Sequence, residues 1–141
     1  MAVIEFKISY PPEGKQKNGW CKKYGLNKYW AGVHWAVRKS DADYWHMLVT
    51  SALNAIHLPE AALPFDVPVL IFFYWNDGLD IDNHAAMGKM IVDSLKHHII
   101  KDDNRRNLKG VYHLWHDQGN YIRIVIKPLK NIRKDKGNEG I

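Results

Sequence analysis

A chain of 141 residues, 46% hydrophobic and 12% aromatic, is long enough for one sizeable core and too apolar for a disordered segment. Its net charge of +5 is unevenly spread: residues 1–39 carry eight Lys/Arg against two acids, residues 40–104 three against ten, and residues 105–141 nine against three. No apolar run is long enough to span a membrane, the first residues lack the pattern of a signal peptide, and Cys21 alone cannot form an internal disulfide, which fits a cytoplasmic protein.

Residues 2–10 alternate Ile4, Phe6, Ile8 and Tyr10 with Glu5, Lys7 and Ser9, which predicts a half-buried strand ended by Pro11-Pro12. Residues 13–28 read as a basic loop in which Lys15, Lys17, Lys22, Lys23 and Lys28 are interleaved with Trp20 and Tyr24. Cations beside aromatics can hold phosphates and stack bases; the same loop also reads as a linker with its aromatics tucked into the core. Ser40 looks like an N-cap, with Asp41 and Asp43 in the first turn, for a helix running to about His57. Trp45, Leu48, Val49, Ala52, Leu53 and Ile56 share one face of it, and Pro59 and Pro64 close it off.

Val67 to Trp75 is an apolar run that reads as a buried central strand, followed by turn chemistry at Asn76-Asp77-Gly78. Asp80-Ile81-Asp82-Asn83 comes next, and then a predicted helix over 84–99 with Met87, Ile91, Leu95 and Ile99 at spacings of four. Lys89, Asp93 and Lys96 lie on its other face, and Asp102-Asp103 follow its end. Residues 110–116 and 121–127 read as two strands of a hairpin around Asp117-Gln118-Gly119-Asn120. Residues 128–141 are basic and without periodicity, a flexible tail beyond a domain of 1–127. The expected fold is α+β: one compact domain, a small mixed sheet of four to five strands and two main helices.

A strand, a helix and a turn can bring Asp80, Asp82, Asp103 and Lys89 into one small volume. Carboxylates that close repel one another unless a cation lies between them, which points to a hard ion such as Mg2+. An acidic middle between basic ends suits a metal site within a phosphate-binding surface, or simply a basic protein with solvated faces. A calcium loop of the EF-hand type is excluded, because its glycine and glutamate positions hold Ala85 and Ile91. Catalytic domains of glycosyltransferases with an Asp-x-Asp motif are usually larger than this chain. The eight histidines and one cysteine match no structural zinc spacing, and there is no glycine-rich phosphate loop or nucleophile elbow. Lys89 and Asp93, four apart, are also explained by a plain surface ion pair.

Taken together, Asp80-x-Asp82-Asn83, the amphipathic helix bearing Lys89 and the Asp102-Asp103 pair resemble the RusA family of Holliday junction resolvases. Gly25-Leu26-Asn27-x-Tyr29, after Pro11-Pro12, is similar to that family's N-terminal signature in phage and prophage members. The resemblance implies a symmetric homodimer that cuts four-way DNA junctions with Mg2+, with Asp80, Asp82 and Asp103 as metal ligands and Lys89 as the catalytic lysine. Lys89 stands three residues further from Asn83 than in the best-known bacterial member, about 300° of turn and about 4.5 Å of rise on a helix. The phosphate-contacting set would be Lys15, Lys17, Lys22, Lys23, Asn27, Lys28, Arg105 and Arg106. Alternatives are a nuclease for flap or other branched DNA, and a junction- or single-strand-binding protein that does not cut.

Overall fold

β1 (Ile4–Ser9) buries Ile4, Phe6 and Ile8 and leaves Glu5, Lys7 and Ser9 exposed, the alternation that a sheet with one covered face requires. The computed structural model of the chain describes residues 2–130, the side chains of Tyr29 and Trp30 excepted. β2 (Val69–Trp75) buries Val69, Ile71, Phe73 and Trp75, and β4 (Tyr121–Pro128) buries Ile122, Ile124 and Ile126. β3 (Leu108–Trp115) completes a four-stranded sheet of order β1-β4-β2-β3. β4 runs antiparallel to β1 and β2, with Phe6↔Ile124 and Phe73↔Ile124 in register, while β2 and β3 are parallel. The strands thus present one continuous apolar face.

Two main helices cover that face. α3 (Trp35–Asn54) buries Trp45, Val49 and Leu53, and α4 (Ala85–Leu95) buries Met87, Ile91 and Leu95. α3 packs against α4 and β1. One open sheet with its helices in a single domain is the α+β fold that the periodicities predict. Among the described residues, no helix is long and apolar enough to cross a membrane.

Four local expectations are corrected. Residues 13–28 are not a loop: α1 (Lys15–Tyr24) and α2 (Leu26–Trp30) occupy them. α1 buries Lys17, Cys21 and Tyr24, which fall on one helical face. Ser40 is not a cap but lies inside α3, whose N-cap is His34, with Nδ1 accepting from the backbone N–H of Ala36. The second main helix ends at Leu95 rather than near residue 99, because Lys96 is extended and His97 has φ 69°. Ile99 is buried as expected, but in the turn where its N–H donates to the Leu95 carbonyl.

The fourth correction is topological. β3 and β4 are consecutive but do not pair, since β2 lies between them. Ile122, Ile124 and Ile126 are fully buried and need a neighbour on each side. β3, with Val111, Tyr112, Leu114 and Trp115 exposed, takes the sheet edge. The expected tail starts after β4, which runs to Pro128, and its residues 131–141 lie outside the described residues.

Candidate active site

The segment leaving β2 is braced before it reaches the aspartates. Tyr10, next in the inward alternation after β1, donates its hydroxyl to Asp77 Oδ2 at 2.6 Å and accepts from the Asn76 N–H at 3.0 Å. His84 Nε2 lies 2.8 Å from both Asp77 oxygens, and its Nδ1 lies 3.0 Å from the Ile81 carbonyl. The two side chains are 0% and 1% exposed, so this is a fully desolvated pair. Burial pushes the Asp77 carboxyl up, but the bonds from His84 and Tyr10 outweigh it and hold it below its ordinary value. His84 also stacks on Trp75 at 4.3 Å.

Lys17 joins the same brace. It is buried, donates to the Asn76 carbonyl at 2.6 Å and to Glu13 at 3.0 Å, and lies 4.3 Å over the Tyr10 ring. This removes Lys17 from the expected phosphate contacts, since its ammonium is committed inside the fold. Lys15, Lys22, Lys23, Asn27 and Lys28 are exposed on α1 and α2, as are Arg105 and Arg106 before β3. Lys23 lies 3.7 Å from Asp41, which is turned inward from α3.

Asp80 and Asp82 are exposed on either side of Ile81, at the start of a short 3₁₀ turn over Ile81–His84. Neither carboxylate takes a hydrogen bond or ion pair among the described residues. Asn83 turns the other way: its Oδ1 accepts from the Asn27 backbone N–H at 2.9 Å. Its amide also fits closely against Gly25, where a Cβ would stand 3.2 Å from Asn83 Nδ2. The Gly-Leu-Asn segment and the Asp-x-Asp-Asn segment are therefore in contact.

α4 and the turn after it supply the other charges. Lys89 donates to Asp93 at 2.9 Å and to Asp103 at 3.2 Å, and Lys96 lies 3.4 Å and 3.5 Å from the same two carboxylates. The bond that Lys89 donates to Asp93 raises the pKa of Lys89, and the bond it donates to Asp103 lowers that of Asp103. Asp102 folds onto its own turn, accepting from the Asp103 N–H at 2.8 Å and from Asn104 at 3.3 Å. The Lys89–Asp93 surface pair and the Lys89–Asp103 contact thus coexist.

Lys89 and Asp103 line a cleft between α4 and β3 with Gly88, Val92, Val111 and His113. The sequence carries no functional signal for His113, Asp77 or His84, since the eight histidines match no zinc spacing and Asn76-Asp77-Gly78 reads as a turn. The inward alternation of β1 is the one signal for Tyr10, since a hydroxyl on a buried face needs a partner.

Mg2+ would need several oxygen donors at one point. Asp80 and Asp82 carry that donor chemistry, but Asp103 is held by two ammonium groups. Among the described residues, no three His, Cys, Asp or Glu side chains form a group able to hold a metal ion. The three-carboxylate set is therefore not assembled in this arrangement. No protein-family model matches the chain, and neither does any curated protein or solved structure.

Proposed function

We propose that the chain is a structure-selective DNA endonuclease of the RusA type, hydrolysing phosphodiesters at four-way junctions in recombination and repair. The observation that supports this reading most is the contact of Lys89 with Asp103. Two residues that the resemblance names as catalytic, fourteen apart in sequence, meet in one cleft, and the helix that carries Lys89 begins directly after Asp80, Asp82 and Asn83. Lys89 would stabilise charge that develops on the phosphate. The exposed cations of α1, α2 and Arg105-Arg106 would hold the arms through phosphates, without reading bases.

Mg2+ is the cofactor of this reading, and Asp80 and Asp82 are the residues that would hold it, with Asp103 free to join only when Lys89 and Lys96 release it. When bound, the ion supplies an acidified water and charge neutralisation. Two symmetric nicks call for two equivalent sites, which a C2 homodimer provides. The open edge of β3, apolar on both sides, is a surface that such a partner would cover.

A second reading is a junction-binding protein that does not cut. The neutralisation of Asp103 by Lys89 and Lys96 favours it. Incubation with a synthetic four-way junction, with Mg2+ or with chelator, separates the two: the endonuclease nicks only with the ion, and the binder never does.

A further inference from the structure

β3 carries one residue whose chemistry the proposed function leaves unused. His113 faces Phe73 in the β2–β3 register, and the two rings stack with centroids 5.4 Å apart. Trp75 Nε1 lies 3.0 Å from His113 Nδ1. An indole N–H only donates, so Nδ1 must accept, and the neutral imidazole carries its proton on Nε2. Trp75 therefore sets the tautomer. Burial also pushes the His113 pKa down, which keeps the ring neutral.

The other edge of the ring abuts α4 at Gly88, where a Cβ would stand 2.9 Å from Cε1 and 3.6 Å from Nε2. Glycine leaves that edge open to the cleft with Lys89 and Asp103. Among the described residues, Nε2 makes no hydrogen bond. A protonated Nε2 has no lone pair for a metal and cannot act as a base, so what it offers is a donor at a fixed place. Asp103 and Asp93 share Lys89 and Lys96, two carboxylates against two ammonium groups, so the charge of Asp103 is matched and does not bar an anion here.

We propose that the Nε2–H of His113 donates to a non-bridging oxygen of a DNA phosphodiester held in this cleft beside Lys89. The proposal rests on the endonuclease reading, which makes a phosphodiester the substrate, and it adds to the acidic motif a neutral donor from the opposite wall. His113 is then a positioning donor for the phosphate, and Trp75 and Gly88 are what hold it in place.

Two substitutions separate the two ends of the ring. Asn puts an amide oxygen near the place of Nδ1, so His113→Asn keeps the acceptor for Trp75 and deletes the donor. Gln puts an amide N–H near Nε2, so His113→Gln keeps the donor and loses the acceptor. In single-turnover cleavage of a four-way junction, His113→Asn should be slower by ~100-fold while melting no lower than His113→Gln, which also loses the ring stacked on Phe73 and should cut within about fivefold of the parent. The reverse ranking would assign His113 to bracing Trp75 alone and overturn the proposal. A second readout needs no catalysis: in metal-free protein, dimethyl phosphate is titrated at constant ionic strength while the His113 ring nitrogens are followed by 15N NMR. The proposal expects an Nε2-protonated ring whose Nε2–H shifts saturably. An unmoved resonance, or a proton on Nδ1, overturns it. A saturable shift in a protein that cuts no junction would sink the endonuclease reading and leave the phosphate contact standing.

Discussion

The backbone N–H of Asn27 donates to Asn83 Oδ1 at 2.9 Å, joining two segments 56 residues apart. Through this bond the start of α2 fixes the residue beside Asp82. Gly25 completes the fit, because a Cβ there would meet both the Asn83 amide and the Cys21 carbonyl at 3.2 Å. A backbone carbonyl cannot move aside as a flexible side chain can. Gly25→Ala should therefore lower the urea midpoint, and Asn83→Ala should cost about 0.5–1.5 kcal/mol of stability through the lost bond. Both should also slow cleavage, since both release the Asp80–Asp82 segment. Parental rates in folded variants would show that the contact has no bearing on the site.

Asp77 links pH to stability. Its carboxyl is held below the ordinary value in the folded chain, so its contribution is complete above the ordinary carboxylate range and is lost as pH falls through that range towards the folded value. Stability measured by urea denaturation from pH ~7 to pH ~3 should fall in part through this group. Asp77→Asn should cost about 1–3 kcal/mol at neutral pH, because the amide keeps one acceptor oxygen but puts an N–H donor where the other accepted from Tyr10 or His84. It should also flatten the acid limb. An unchanged acid limb in the variant would remove Asp77 from the account.

How far the sequence discloses this molecule depends on whether the relevant partners are near in sequence. The strands β1 and β4 are legible because every second residue is apolar, β2 because its run is apolar throughout, and the faces of α3 and α4 because Trp45, Val49 and Leu53, and Met87, Ile91 and Leu95, recur at four. α1 is hidden because one of its three buried positions is Lys17, whose partner is a carbonyl 59 residues away. The order of β3 and β4 is likewise nonlocal, and a five-residue connection reads as a hairpin wherever the strands go. In the site, Asp80, Asp82, Lys89 and Asp103 stand out as charges close in sequence. Asp77 does not, because Asn-Asp-Gly reads as a turn and Tyr10 is 67 residues distant.

The correction at Lys17 separates two kinds of cation. Lys17→Met should lower the melting temperature by removing the donor to Asn76, with junction affinity of the folded variant little changed. Lys22→Ala and Lys28→Ala should leave melting unchanged, weaken junction binding and each reduce the slope of log affinity against log salt by about 0.9. Equal effects on salt dependence would place Lys17 in contact with phosphate after all.

Lys89 is exposed and shared between Asp93 and Asp103. A surface pair of this kind contributes about 0.3–0.5 kcal/mol, so Lys89→Met should melt close to the parent. If its ammonium meets the transition state, single-turnover cleavage should fall by ~100-fold while junction affinity changes modestly. Asp93→Asn removes the ion pair alone and should leave the rate nearly intact. Equal losses in both variants would assign Lys89 to the pair.

The most direct test is cleavage of a synthetic four-way junction by the parent chain and by Asp82→Asn, each with Mg2+ and with chelator. The account predicts symmetric nicks by the parent with Mg2+ only, none by Asp82→Asn, and metal-free junction binding by the variant that is equal or tighter, since a charge facing phosphate has gone. Cleavage retained by Asp82→Asn, or a parent that binds the junction and never cuts it with Mg2+ present, would contradict it.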